Sequence, residues 1–174
     1  PSGHGHKRSK GTLTMAEVFN FNTSPRQRLL GGLLERTAFR SDGAIVTFNW
    51  FDADYKARAP HSHPFDQLVM ILSGRFCMVV DGVEHMLEAG SVIRIPADVP
   101  HAGKVVGDER VLNVDVFAPA REDYLFLTAH QSEYADATKP PAAVSDHVGD
   151  FRKRDGEGGT AIRFFELPSP ASGP

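Results

Sequence analysis

The feature that most constrains the fold is a series of short apolar segments between Gly43 and Phe117. These segments are rich in Val, Ile and Phe, and they read GAIVTFNWF, QLVMILS, RFCMVV, EHML, SVIRI, AGKVV and RVLNVDVF. Turn signals separate them, and Asp81-Gly82 between two such runs is a strong β-hairpin signal. Many short strands with regularly spaced turns, and no helical periodicity in this stretch, predict an all-β sandwich or barrel.

The composition divides the chain into three parts. Residues 1–14 are rich in Gly, Ser, His and Lys, which predicts a flexible, disordered arm. We expect one barrel domain over residues 15–128, with a short helix or strand packed on it within residues 121–138. Residues 129–174 form a predicted C-terminal extension that is largely loop, although its segment IRFFEL could add an edge strand to this barrel or to a neighbour.

The overall charge excludes several classes of partner. Lys plus Arg is 19 and Asp plus Glu is 22, so a net charge of -3 gives no global reason to expect binding to nucleic acid or to an anionic membrane. The single cysteine, Cys77, rules out an intrachain disulfide. No apolar run approaches the ~20 residues of a membrane helix. We therefore expect a cytoplasmic protein without nucleic-acid or membrane partners.

The chemistry is concentrated in His61-Ser62-His63-Pro64-Phe65-Asp66-Gln67. In an extended strand His61, His63 and Gln67 share one face, so two imidazoles and a carbonyl oxygen could meet there. His101 follows Pro96-Ala97-Asp98-Val99-Pro100, whose prolines favour a rigid bend, and only the fold can bring it close. An isolated His-x-His is more often a surface feature, but the surrounding spacing predicts a site for one divalent metal ion.

That spacing resembles the two motifs of the cupin superfamily. The first motif is matched by His61, His63, Gln67 and Gly74, and the second by Gly90, Pro96 and His101. The resemblance covers about residues 43–118 and implies a double-stranded β-helix, a small jelly-roll barrel. It also implies that His61, His63, Gln67 and His101 are the metal ligands.

The sequence departs from the cupin motifs at four positions. Tyr55 stands in place of the leading glycine, Gln67 in place of the usual Glu, Asp98 in place of a glycine and Val105 in place of an asparagine. A neutral amide cancels no charge of a divalent ion, so the ion would stay a stronger Lewis acid. Three His and one Gln suit Ni, Zn, Fe or Mn, and ligand type does not choose among them.

A narrower resemblance joins the chain to the KdgF-type cupins, which linearise 4,5-unsaturated uronates and also use Gln in the Glu position. In that family an Asp, a Phe and an Arg are implicated in activity, and Asp115, Phe117 and Arg121 match their spacing. Asp115 could transfer protons, Arg121 could grip a sugar carboxylate, and Phe117 could form an apolar wall. Alternatively, Asp115 pairs with Arg94 or Arg110, Phe117 is plain core and Arg121 caps a turn.

The resemblance therefore implies a metal-dependent isomerase or lyase that acts on a small anionic, sugar-like substrate. The alternatives are a dioxygenase or a lyase of another small acid, and a non-catalytic cupin that senses or stores sugar. Strands predicted at 68–72 and 76–80 are apolar on both faces. One face of each would remain uncovered in a small barrel, which predicts a homodimer built on the outer barrel sheet.

Overall fold

The computed structural model describes residues 16–137 and 163–164, which form two antiparallel β-sheets facing each other. The larger sheet contains, in spatial order, β1 (Gln27–Leu29), β2 (Leu34–Ser41), β3 (Ala44–Phe51), β10 (Val111–Phe117), β5 (Gln67–Ser73) and β8 (Val92–Ile95). The smaller sheet contains β11 (Arg163–Phe164), β4 (His61–Ser62), β9 (His101–Val105), β6 (Arg75–Val80) and β7 (Val83–Glu88). Neighbours in sequence often lie in different sheets, which is the jelly-roll arrangement that the apolar segments predicted.

Alternation along the strands fills the space between the sheets. In β5, Val69 and Ile71 are fully buried while Leu68 and Leu72 face outward. Side chains from the inner faces of both sheets form a hydrophobic core at one end of the barrel. Its members are Leu34, Phe51, Tyr55, Val69, Ile71, Phe76, Met78, Leu87, Ile95, Val105 and Val111. At the other end the inner face becomes polar, and the histidines and Asp115 lie there.

Two turns depend on backbone conformations that the sequence signals. Asp81 and Gly82 join β6 to β7 as a two-residue hairpin, and both have positive φ, 49° and 78°. This confirms the predicted Asp-Gly hairpin. Gly74 links β5 to β6 across the two sheets with φ of 75°, and a Cβ there would lie 2.9 Å from the Arg110 carbonyl oxygen. The cupin motif glycine is therefore required both by its φ and by the close approach of another backbone.

Segments on both sides of the strands pack onto the larger sheet. Phe21 stacks on Phe48 with ring centroids 4.3 Å apart, so residues near the start of the described chain cover part of the outer face. A 3-10 helix at Glu122–Thr128 packs against β2, where a short helix or strand was expected. The predicted arm at residues 1–14 lies outside the described residues.

The C-terminal extension is described only in part. A short 3-10 helix spans Ser132–Tyr134, and β11 at Arg163–Phe164 pairs with β4 as an added edge strand. The edge strand expected from IRFFEL therefore belongs to this barrel. The remaining residues of the extension lie outside the described part, so its predicted loop character stays a prediction.

The two segments that are apolar on both faces, 68–72 and 76–80, lie in different sheets, on β5 and β6. On β5, Leu68 and Leu72 are 42% and 47% exposed. On β6, the outward side chain Cys77 is fully buried by its own chain. Met86, opposite Cys77 on the neighbouring β7, is 59% exposed, so exposed apolar side chains occur on the outer faces of both sheets. Within the described residues, no helix is long and apolar enough to cross a membrane.

Candidate active site

The strand pairing brings the predicted metal ligands together. His61 on β4 lies directly opposite His101 on β9, with ring centroids 4.4 Å apart. His63 follows β4 in a turn, 4.9 Å from His101 by ring centroids, and Gln67 is the first residue of β5. The chain does not stay extended from His61 to Gln67, so the turn and not strand parity brings Gln67 to the site. The nitrogens of the three histidines lie within 4.8 Å of one another.

Backbone carbonyls fix the orientation of two of these rings. His63 Nδ1 lies 2.8 Å from the Phe65 carbonyl oxygen, and His101 Nδ1 lies 2.9 Å from that of Val99. Because a carbonyl only accepts, each Nδ1 carries the hydrogen, and each Nε2 of the neutral ring presents a lone pair. His101 Nε2 is buried and has no hydrogen-bond partner in the described part of the chain. A ring held at Nδ1 by a carbonyl, with Nε2 free, is the usual arrangement of a metal-ligating histidine.

Burial keeps these imidazoles in the neutral form that metals bind. Loss of hydration lowers the pKa of His61 well below its usual value, and it lowers that of His101 to about 4. The pKa of His63 is lowered for the same reason. At neutral pH the histidines need not lose a proton before they coordinate an ion.

Gln67 connects the histidines to Asp115. Its Oε1 lies 3.0 Å from His63 Nε2, so two acceptors face each other at a separation that a shared cation would satisfy. A divalent cation held by both atoms would supply the positive partner that two acceptors lack. The Gln67 amide also hydrogen-bonds the Asp115 carboxylate. A glutamate at position 67 would place its carboxylate against that of Asp115, and the two negative charges would repel. The neutral amide of Gln67 avoids this repulsion.

Asp115 lies at the centre of a buried network of amides on the inner face of the larger sheet. Its Oδ1 accepts from Asn113 Nδ2 at 3.1 Å, and its Oδ2 accepts from Asn49 Nδ2 at 3.0 Å and from the Thr47 hydroxyl at 3.5 Å. Burial raises the pKa of Asp115 despite these donors and the nearby charge of Arg36. The carboxyl is therefore closer to carrying a proton at neutral pH than an exposed one.

The alternative in which Asp115 forms an ion pair with Arg94 or Arg110 is not observed. Arg94 forms its ion pair with Asp66, and Arg110 forms its ion pair with Glu35. Neither arginine is therefore the partner of Asp115, whose carboxylate is held by neutral donors.

Phe117 and Arg121 lie beside the histidines. Phe117 is 1% exposed and contacts the His63 ring edge to face, with centroids 5.8 Å apart, so it is both a core residue and a wall of the site. Arg121 is 4% exposed, and its Nε and Nη2 donate to the two oxygens of Asp123 at 2.9 and 2.6 Å. The guanidinium lies over the Tyr124 ring at 3.8 Å. Arg121 thus occupies the N-cap position of the 3-10 helix, but its side chain makes no capping hydrogen bond and forms a buried ion pair with Asp123 instead.

Asp98 explains one departure from the cupin pattern. Its φ is 63°, in the left-handed region that favours glycine and tolerates aspartate. The Asp98 amide donates to the His63 carbonyl oxygen at 2.7 Å. The loop before His101 is thereby attached to the loop of the first motif, which fixes the two ligand-bearing segments relative to each other.

Sequence reasoning missed Arg36, Asn49 and Tyr124. All three lie at this end of the barrel: Arg36 Nε donates to Asn49 Oδ1, and the Arg36 guanidinium lies 4.5 Å from the Tyr124 ring centre. One signal was available, since Thr47 and Asn49 are polar residues of equal parity in an otherwise apolar strand. Arg36 gave no such signal, because it follows Glu35 and the sequence does not say which of the two charges faces inward.

Comparisons with known proteins agree with this geometry. Residues 53–117 match the Cupin_2 family model, described as a cupin domain. The pectin degradation protein KdgF of Dickeya dadantii (strain 3937) is 27% identical over 112 residues, which cover 64% of this chain and 100% of that protein.

Two solved structures share the fold. KdgF from a Halomonas species superposes with a TM-score of 0.56 at 21% identity, covering 63% of this chain and 98% of that one. An RmlC-like cupin from Shewanella frigidimarina NCIMB 400 superposes with a TM-score of 0.54 at 29% identity, covering 63% of this chain and 96% of that one. The barrel is therefore an all-β cupin domain. The chain is similar in sequence to the Dickeya KdgF and shares the fold of the Halomonas KdgF.

Proposed function

We propose that this protein is a metal-dependent cupin enzyme that isomerises a small anionic sugar, specifically by opening the ring of 4,5-unsaturated uronates. The observation that carries the proposal is the position of Gln67, which lies between the histidine cluster and the buried carboxyl of Asp115. Groups for binding an ion and for moving a proton are thus adjacent. The likeness to KdgF, a pectin degradation protein, supports uronates as the substrate class.

The ion would be held by His61, His63, Gln67 and His101. The free Nε2 of His101 and the facing acceptors of His63 and Gln67 fit a divalent cation. Three imidazoles and one amide leave Ni, Zn, Fe and Mn as candidates. When bound, such an ion supplies Lewis acidity that polarises a substrate oxygen.

Asp115 would move the proton. Ring opening of a 4,5-unsaturated uronate removes a proton from the hydroxyl on C1, breaks the bond between C1 and the ring oxygen, and adds a proton at C4. No electron or water is gained or lost, so one group that accepts and returns a proton suffices. The amides of Asn49 and Asn113 hold the Asp115 carboxyl in place, and burial raises its pKa above the usual value of an aspartate.

Phe117 and Arg121 would shape the substrate site. Phe117 offers an apolar surface beside His63 against which a sugar ring can pack. Arg121 contributes positive charge that favours an anion, although Asp123 already engages two of its nitrogens. Asp123 takes one hydrogen each of Nε and Nη2, so Nη1 and the second hydrogen of Nη2 remain for a substrate, on a guanidinium whose charge is already balanced.

Turnover of an unsaturated uronate tests the proposal. Conversion removes the ring double bond, so the expected result is loss of its ultraviolet absorbance by purified, metal-loaded protein. A His61→Ala, His101→Ala double variant should be inactive and is the matched control. No turnover by the wild type would refute the reaction. Oxygen consumption by the iron-loaded protein would instead indicate a dioxygenase, and sugar binding without any turnover would indicate a sensing or storage cupin.

A further inference from the structure

Arg36 is a buried cation that lacks an anionic partner. It lies on the inner face of β2 and is 6% exposed. Its Nε donates to Asn49 Oδ1. Within residues 16–137, its two Nη atoms have no hydrogen-bond partner and no carboxylate forms an ion pair with it. An unpaired charge in a protein interior costs several kcal/mol, so such a group is retained where it pairs with something else.

Arg121, the other inward-facing arginine at this end of the barrel, does have an anionic partner. Arg121 is equally buried, but Asp123 binds its Nε and Nη2 and balances its charge. Both guanidiniums contact the same ring, Tyr124, at 3.8 Å for Arg121 and 4.5 Å for Arg36. The two residues therefore occupy one environment and differ in charge balance, because a carboxylate neutralises Arg121 whereas the hydrogen bond of Arg36 goes to a neutral amide.

The charge of Arg36 acts on the interior of the proposed active site. Along with burial, it is among the groups that perturb the pKa values of His61 and Asp115. The strand register agrees, because Arg36 lies opposite Asn49, which lies opposite Asn113 on the same inner face. Arg36 is thus connected to Asp115 through a single side chain, Asn49.

We propose that Arg36 is the residue that binds the carboxylate of the substrate. The planar pair of Nη groups matches a carboxylate, and the bond to Asn49 and the ring of Tyr124 hold the guanidinium in position. Arg121, balanced by Asp123, then forms part of the wall and does not make the principal ionic contact. The inference rests on the proposed function only in that the substrate is an acid.

A matched pair of sugars tests it without requiring catalysis. D-Galacturonate and D-galactose differ in the carboxylate, so calorimetric titration of the metal-loaded protein with each gives the preference for the charged group. A charge-assisted contact is worth about 1.5–3 kcal/mol, which predicts a preference of roughly tenfold to a hundredfold for galacturonate. Arg36→Gln, which can still donate to Asn49, should bring the preference close to one.

Three further variants complete the experiment. Arg121→Met tests the competing assignment, since it removes an equally buried guanidinium from the same ring, and it should lower the preference less than Arg36→Gln does. Arg110→Gln, which removes a more exposed arginine outside the site, is the control and should keep the preference. Arg36→Lys keeps the charge without the fork and should lower the preference to an intermediate value. If Arg36→Gln does not fold, Arg36→Lys decides, and an unchanged preference there would overturn the proposal.

The outcomes separate this inference from the reaction. Two results would overturn the role of Arg36 whatever reaction is catalysed. One is a wild type that binds galacturonate and galactose equally. The other is a preference for galacturonate that disappears in Arg121→Met and persists in Arg36→Gln. A preference that depends on Arg36 in a protein that does not turn over unsaturated uronates would leave this inference standing and refute the proposed reaction.

Discussion

Replacing Asp115 by asparagine tests whether the carboxyl serves catalysis or the fold. The asparagine keeps the shape of the side chain but exchanges one acceptor oxygen for a donor, so it cannot take up a proton. In the structure, Asn113 and Asn49 donate to different oxygens of Asp115. One of those buried donors therefore loses its acceptor, at a cost of about 1–3 kcal/mol. Removal of a buried negative charge offsets part of that cost.

The expected result is a large effect on turnover and a modest effect on stability. Loss of a positioned proton-transfer group lowers kcat by roughly 10²–10⁴-fold, with little change in KM. A cost of about 1–3 kcal/mol lowers Tm by roughly 3–15 °C in a domain of this size. Metal content, kcat and Tm of the purified variant are the measurements. Thr47→Val is the matched control: Asn49 Nδ2 donates to its hydroxyl at 3.0 Å and its contact with Asp115 is 3.5 Å long, so it should lower Tm by a similar amount and leave kcat near wild type.

Two results would refute this reasoning. If Asp115→Asn unfolds the protein or releases the metal, the carboxyl is part of the scaffold. If the variant is stable, retains its metal and turns over substrate normally, then proton transfer takes place elsewhere.

Three further predictions concern the scaffold and assembly. Hydrogen bonds from Arg110 and two further arginines lower the pKa of Glu35 to about 2. Glu35→Gln should therefore lower the free energy of unfolding by about 1 kcal/mol at pH 7. Chemical denaturation should show this difference between variant and wild type vanishing as pH falls from about 4.5 toward 2. Gly74→Ala should cost at least 1–2 kcal/mol because of its positive φ, and an unchanged Tm would contradict that estimate. We propose that the exposed side chains of Leu68 and Leu72 form a homodimer interface. A Leu68→Asp, Leu72→Asp double variant should then be monomeric by light scattering. A wild type that is monomeric at micromolar concentration would rule the interface out.

The sequence predicted the parts of the molecule that depend on local signals. Apolar segments separated by Asp81-Gly82 and similar turns specified an all-β barrel, and the hairpin is where it was expected. His61, His63, Gln67 and His101 were identified by spacing, and the fold brings their side chains to one place. The barrel and its hairpin need only strand periodicity and turn chemistry, whereas the ligand set follows from the match to the cupin motifs.

The parts that the sequence did not predict depend on long-range pairing. Asn49 meets Asp115 because β10 lies between β3 and β5, and no local pattern specifies that order of strands. Arg36 faces inward only because of the register of β2 against β3, which an adjacent Glu35 makes ambiguous in the sequence. That β5 and β6, which are adjacent in sequence, lie in different sheets also follows from long-range pairing and has no local signal.

The central claim is that one divalent ion is held by His61, His63, Gln67 and His101. Anomalous diffraction from a crystal of the metal-loaded protein, recorded on both sides of the absorption edge of each candidate metal, tests it most directly. The account predicts one strong peak within bonding distance of the three His nitrogens and of Gln67 Oε1. A peak elsewhere in the barrel, or none in protein that carries stoichiometric metal by elemental analysis, would contradict it.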